Sequence, residues 1–405
     1  MTPAPGPGVT PVPGPGVTPV PEPFTIAVAD SVLTDLHERI DRIRWPLDPG
    51  NDDWRYGTNR AWLSDLVAYW RDGYDWRAHE AEMNRFDHFR VVLDDVPIHF
   101  VHRRGIGPAP VPIVLTHGWP WTFWDFAGVI DALADPAAHG GDPADAFDVV
   151  VPSLPGYGFS VPLERTGVTV RTTAALWVRL MREVLGYDRF AAHGGDWGAS
   201  VTAQLGHEFP EHLIGVHLSL PVLLRVSYYS GLSAEDYAPE EAGWFEKMQT
   251  RMATAASHVA VHTADPQTLA YALNDSPVGL AAWILERRRA WSDHTGDVYD
   301  ALSRDFLLTN VTLYWVTQSI GSTMRYYWEN RRQSVRVVHD RTPAIEAPTG
   351  MAVFPNDLVF VPRRLAEQHT NLVHWTVMPR GGHFAAAEEP DLVVEDLRAM
   401  FRALR

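Results

Sequence analysis

Three short apolar runs, residues 111–116 (VPIVLT), 147–151 (FDVVV) and 189–193 (RFAAH), each break off at glycine or proline. The first closes on His117-Gly118-Trp119-Pro120, the second on PSLPGYGFS over 152–160, and the third on Gly194-Gly195. Apolar runs without polar alternation are buried on both faces, as in a parallel sheet covered by helices. A crossover helix is written between the second and third runs: Trp177, Leu180, Met181, Val184 and Leu185 recur at helical spacing over 173–185, and Gly186 supplies the stop. The same grammar returns near 350–354 and 373–378 and in an amphipathic helix over 391–404. Between these halves strand signals fade, and helical stretches rich in Trp, Tyr and Arg take over. The pattern predicts an α/β chain with a mostly parallel central sheet, contributed by 101–221 and 346–405 and interrupted by a helical cap over 222–345.

Residues 24–100 read as an α-then-β preface. Val32, Leu33, Leu36, Ile40 and Ile43 form a helical stripe, a second helix is expected over 60–70, and 89–102 (FRVVLDDVPIHFVH) alternates as a hairpin turning at Asp94-Asp95. Residues 1–23 are different. The unit PGPGVTPV at 5–12 returns at 13–20, and proline without a donor beside entropic glycine builds neither helix nor sheet, so a disordered lead is expected. The lead lacks the basic and apolar regions of a secretory signal, and no apolar run approaches the ~18 residues of a membrane span, so the expected location is the cytoplasm.

The formal charge of −16, from 34 basic and 50 acidic residues, disfavours nucleic acid and anionic lipid as partners. With no cysteine, the chain has no thiolate nucleophile, disulfide or sulfur-ligated metal, so its chemistry must come from oxygen and nitrogen groups.

Gly194-Gly195-Asp196-Trp197-Gly198, directly after the third run, has the spacing of a nucleophile elbow, in which glycines let a tight strand-to-helix turn project one side chain over the sheet. Here that residue is Asp. A carboxylate attacking an sp³ carbon makes an alkyl ester that water can later cleave. The same five residues also read as a turn whose Asp caps the next helix. His383, in the loop RGGHFA at 380–385, falls late in the chain, where a general base belongs. Asp357, closing FPND at 354–357, supplies an acid to orient it, although it also reads as a turn carboxylate. The backbone N–H groups of Trp119 and Trp197 are the candidate oxyanion donors.

Together, His117-Gly118-Trp119-Pro120, Gly195-Asp196-Trp197-Gly198, ALNDSPVGLAAW (272–283) and Arg380-Gly381-Gly382-His383-Phe384 resemble epoxide hydrolases of the microsomal type, within the α/β-hydrolase fold. The stretch YWRDGYDWRAHEAEMNRFDHF (69–89) is similar to that family's N-terminal meander, so the likeness runs from about Phe24 to Arg405. It implies that Asp196 opens an epoxide, a cap tyrosine at Tyr327 hydrogen-bonds the departing oxygen, and His383, held by Asp357, drives water onto the ester. A vicinal diol then leaves, with no cofactor or metal required. One departure stands out. Counting back eight residues from Pro266 to the family's first cap tyrosine lands on His258, whose imidazole N–H would replace the hydroxyl and pair with Tyr327. Tyr228, Tyr229, Tyr237 and Tyr271 are alternatives for that role, and an ordinary cap histidine in a weakened enzyme is another.

Trp119, Trp197, Trp121 and Phe159, with Trp124 and Trp328, fall on or near loops expected to face the cleft, which points to an apolar, aromatic or bulky epoxide. Two other readings remain. A haloalkane-type dehalogenase would use the same Asp, but its halide pocket wants Asn where Trp119 stands. A ligand-binding relative that has lost catalysis is the second. The expected partners are an epoxide and water, with no nucleic acid or membrane, and homo-oligomerisation is left open.

Overall fold

The computed structural model describes residues 19–226, 231–331 and 335–405. Nine strands, β1 (Glu22–Phe24), β2 (His88–Leu93), β3 (Val96–Arg103), β4 (Val111–Thr116), β5 (Phe147–Pro152), β6 (Phe190–Gly194), β7 (Leu213–Leu218), β8 (Ile345–Val353) and β9 (Thr370–Val377), join in one sheet. Their order is β1-β2-β3-β5-β4-β6-β7-β8-β9. The pairings from β5 through β9 are parallel, and the three at the N-terminal edge are antiparallel. This is the mostly parallel α/β-hydrolase sheet that the apolar runs announce.

Helices α1 (Asp30–Asp41), α2 (Arg60–Asp72) and α3 (Trp76–Met83) precede the β2–β3 hairpin. That hairpin turns at Asp94 and Asp95, with φ of 49° and 61°, the left-handed pair of a tight two-residue turn. Helices α4 (Ala127–Ala134), α5 (Val170–Arg179) and α6 (Asp196–Glu208) connect the central strands. α5 passes into one π-helical turn, Leu180–Val184, before Gly186 turns the chain at φ 79°. Among the described residues, six α-helices then lie between β7 and β8: α7 (Trp244–Ala255), α8 (Ser257–Ala264), α9 (Pro266–Asp275), α10 (Pro277–Trp291), α11 (Arg304–Thr317) and α12 (Ile320–Asn330). α13 (Arg363–His369), α14 (Ala385–Glu388) and α15 (Pro390–Arg402) complete the chain.

The proline-rich lead differs from its expectation at one end. Residues 1–18 lie outside the described residues, but Glu22 and Pro23 are not unstructured: they begin β1, which pairs antiparallel with β2. An edge strand bonds on one side only, so Pro23 can sit there without breaking a ladder.

Two neighbouring strands fix where chemistry can occur. β4 and β6 run parallel in a register that sets Thr116 beside Gly194, so the segments leaving their C-terminal ends emerge together. Sheet order reverses around β4, and such switch points open a crevice at the strand ends.

Candidate active site

Asp196 begins α6 with φ 50°, a left-handed conformation that strains a non-glycine residue. The turn closes because its neighbours lack side chains. A Cβ on Gly198 would overlap the Thr116 carbonyl oxygen, and one on Gly194 would overlap the Gly198 backbone. The alternative of a simple capping Asp loses its ground, because no side-chain bond caps α6.

The Asp196 carboxylate is held from two sides. Its Oδ1 accepts the Trp119 N–H at 2.7 Å, and its Oδ2 lies 3.2 Å from His383 Nε2. The other ring nitrogen of His383, Nδ1, is 2.7 Å from Asp357 Oδ1, which also accepts the Leu358 N–H at 2.6 Å. One imidazole thus bridges two carboxylates. Burial alone would strip its proton, but the charge of Asp357 and the bonds to both acids outweigh burial and raise its pKa to about 10. The N–H of Trp197 opens α6 on the other side of Asp196; of the expected oxyanion pair, the Trp119 amide is the one seen bonded to the carboxylate.

The loop carrying Trp119 is gripped from within and from the cap. His117 Nε2 accepts the Leu154 N–H at 3.0 Å, and burial lowers its pKa to about 4, so the ring is neutral. From α10, Arg288 reaches the Asp125 carboxylate and donates to the Pro120 carbonyl at 2.8 Å, while its guanidinium lies 4.2 Å from the Phe384 ring centre. From α11, Tyr314 Oη donates to the Trp121 carbonyl at 2.9 Å, and Asn310 accepts from Thr122 at 2.7 Å. The end of α10 and the residues after it also hold the His383 loop. The Trp291 carbonyl accepts the His383 N–H at 3.0 Å, and Asp293 accepts from Gly381 N and Asn356 Nδ2 at 2.8 and 2.6 Å. Glu388 accepts the N–H groups of Gly382 and Phe384, on either side of His383. Apart from His117, none of these holders was singled out by sequence. Arg288 sits in an Arg287-Arg288-Arg289 run that resembles a solvated charge cluster, and only tertiary burial separates it from its neighbours.

A cavity of about 990 Å³ opens on Asp196, His383, Trp197, Tyr327 and His258. Its walls are largely aliphatic, including Leu220, Val222, Leu223, Met252, Val259 and Val359. Tyr327, on α12, packs edge-on to the Trp197 ring at 4.8 Å. His258 shares this wall: its ring stacks on Trp119 at 4.8 Å and meets Tyr327 edge-on at 5.3 Å.

The expected N–H donor role of His258 requires correction. His258 Nδ1 lies 3.0 Å from the Ala255 carbonyl, which can only accept, so the ring proton of the neutral form sits on Nδ1 and is already engaged. Burial, aided by His262 and Arg287, holds the ring well below its ordinary pKa, so a second proton is disfavoured.

Of the six expected cleft aromatics, Trp197 alone lines the cavity among the described residues. Phe159 packs among Phe24, His99 and Phe123 under the β2–β3 hairpin, and Trp121 turns inward against His383 and Phe384, because both side chains are more fully removed from water in the core than at the cavity wall. Trp119 is fully buried and supports His258 rather than forming open wall. Trp124 is core, and Trp328 is exposed under the Arg331 guanidinium. Among the alternative tyrosines, Tyr237 donates to the Phe360 carbonyl and Tyr271 is 72% exposed, so neither belongs to the cavity wall. Tyr228 and Tyr229 lie outside the described residues.

Comparison with known proteins agrees with this geometry. Residues 21–126 match the epoxide hydrolase N terminus family, and residues 111–390 match the alpha/beta hydrolase fold family. The chain is 43% identical to a sequence from Stigmatella aurantiaca over 94% of its own length and 85% of that relative. It is 36% identical to Epoxide hydrolase 1 of Oryctolagus cuniculus, covering 92% and 87% of the two chains. The structure of Aspergillus niger epoxide hydrolase superposes with a TM-score of 0.82 at 30% identity, over 95% of this chain and 97% of that one. Among the described residues, no helix is long and apolar enough to cross a membrane. A carboxylate on a strained elbow, an imidazole joined to a second carboxylate, and relatives of this extent lead to one assignment: the chain belongs to the epoxide hydrolase family of the α/β-hydrolase fold.

Proposed function

We propose that the protein hydrolyses a bulky, apolar epoxide to a vicinal diol through an alkyl ester on Asp196. The observation that carries this reading is the Asp196 carboxylate, held between the Trp119 N–H and the His383 imidazole at the floor of an aliphatic cavity. Asp196 attacks an epoxide carbon, the carbon–oxygen bond breaks, and the oxygen leaves as an alkoxide that Tyr327 meets with its hydroxyl.

The proton count closes within the site. His383 begins as an imidazolium between two carboxylates, so a proton is at hand for the alkoxide. Ester formation cancels the charge of Asp196, one of the two anions that raise the His383 pKa, and the ring gives up that proton. Neutral His383, oriented by Asp357, then takes a proton from water as it attacks the ester carbonyl, whose oxyanion the N–H groups of Trp119 and Trp197 receive. Collapse restores the carboxylate, frees the diol and leaves the imidazolium.

A single turnover of styrene oxide in oxygen-18-labelled water, followed by peptide mass analysis, tests this route. Label in the peptide containing Asp196 is the expected result. Label confined to the diol would mean that water attacks the epoxide directly and would end the proposal.

A further inference from the structure

We propose that His258 is a hydrogen-bond acceptor subsite for substrate, selecting epoxides that carry a hydroxyl or N–H donor on a carbon next to the oxirane. The inference rests on the hydrolase reading above and names the substrate class that this cavity favours.

Two constraints fix the chemistry of the ring. Ala255 O accepts the proton of Nδ1, and Arg287 donates to the same carbonyl at 3.1 Å, so that oxygen is fixed as an acceptor. The ring cannot flip without giving up this bond, and it is clamped by Trp119 stacked at 4.8 Å, Trp291 at 5.1 Å and Tyr327 edge-on at 5.3 Å. Nε2 is therefore the lone-pair nitrogen. His258 is only 6% exposed, and its exposed part lines the reaction cavity. Among the described residues no polar group bonds Nε2, and it is not among the buried side-chain atoms left without a partner, so it opens to the cavity that His258 lines.

The nearby His262 cannot supply what His258 lacks there. Its Nε2 accepts the Trp283 indole N–H at 3.1 Å, its ring is fully buried, and it stands behind Trp119 and Tyr327. The cavity wall thus carries Tyr327, the donor expected from the family resemblance, and, 5.3 Å away between ring centres, a nitrogen able only to accept. An epoxide with a neighbouring alcohol satisfies both: the oxirane oxygen meets Tyr327 and the alcohol O–H meets Nε2. A substrate without the donor leaves a buried lone pair desolvated and unmatched, the situation in which polar sites discriminate most strongly.

The test compares kcat/KM for phenylglycidol, its O-methyl ether and β-methylstyrene oxide, which share the aryl epoxide and differ in the donor. The wild-type protein is expected to prefer the alcohol over the ether by roughly tenfold or more, the scale of one lost buried hydrogen bond. His258→Phe is expected to collapse the alcohol-to-ether ratio of kcat/KM towards one, whatever the change in the absolute rates. His258→Gln, whose amide oxygen can accept, is expected to restore part of the preference. A wild-type enzyme indifferent to the donor overturns the proposal even if the phenylalanine variant does not fold, and so does a folded His258→Phe that keeps the wild-type ratio. Failure of the wild type to open any of the three epoxides would instead remove the hydrolase reading, and the subsite with it.

Discussion

Arg288 on α10 meets Asp125 in a two-pronged ion pair, at 2.5 and 2.9 Å, with both side chains wholly buried. The pair spans the seam between the cap and the loop that carries the Trp119 amide. Removing one partner strands the other charge in the interior, so Arg288→Met is expected to cost about 3–5 kcal/mol of stability. Removing both, in Arg288→Met with Asp125→Leu, is expected to recover most of that loss. Urea unfolding of the two variants decides the matter, and a double variant as unstable as the single one would mean that charge burial is not the issue.

Gly118 lies so close to Asp196 that a Cβ there would overlap the Asp196 carboxylate. If Asp196 is the nucleophile as proposed, Gly118→Ala is expected to push it off its line of attack and lower turnover by roughly a hundredfold or more, the scale of misplacing a reacting group. Circular dichroism should still report a folded chain. Wild-type kinetics in this variant would show that the carboxylate tolerates displacement.

His383 holds its proton more tightly folded than unfolded, with a pKa of about 10 against an ordinary 6.5. Its contribution to stability is accordingly complete below about pH 6.5 and is lost as the pH rises through 10. Asp196→Asn deletes one of the two anions responsible, so the His383 ring should titrate at lower pH, and the alkaline decline in melting temperature should begin earlier. Ring-proton NMR across the titration would refute the charge argument if both proteins gave the same midpoint.

In the proposed mechanism Tyr327 acts in ring opening and not in ester hydrolysis. Tyr327→Phe is expected to slow formation of the Asp196 ester by about 10- to 100-fold, the range of a lost proton-donating group, with ester breakdown unchanged. Stopped-flow fluorescence can separate the two phases, because the Trp197 ring lies 4.8 Å from Tyr327. Equal slowing of both phases would argue for a general disturbance of the cavity.

What the sequence makes legible follows physical range. The elbow, the His117–Pro120 loop and the Asp357–His383 pair could be read because each is a local backbone device: a glycine where no Cβ fits, or a polar residue at the end of an apolar strand. The Asp94-Asp95 turn was readable for the same reason. Phe159 and Trp121 were not, since a loop aromatic can face cavity or core at equal sequence cost, and packing decides. His258 was found by position, but whether its nitrogen gives or takes a proton depends on one carbonyl three residues earlier. Arg288 looks no different from Arg287 and Arg289 until its helix is laid against the sheet. β1 was hidden by Pro23 and the prolines before it; Pro23 is tolerated because an edge strand bonds along one side only.

The grip of α10 on three loops at once has a bearing on traffic. With Arg288, Trp291 and Asp293 bonded to the segments that carry the Trp119 amide, His383 and Asp357, swinging α10 away like a hinged door would break the contacts that hold those three segments together. Away from this grip, the rim of the cavity carries the exposed side chains of Arg225 and Arg331, whose bonds run to backbone carbonyls rather than to those three segments.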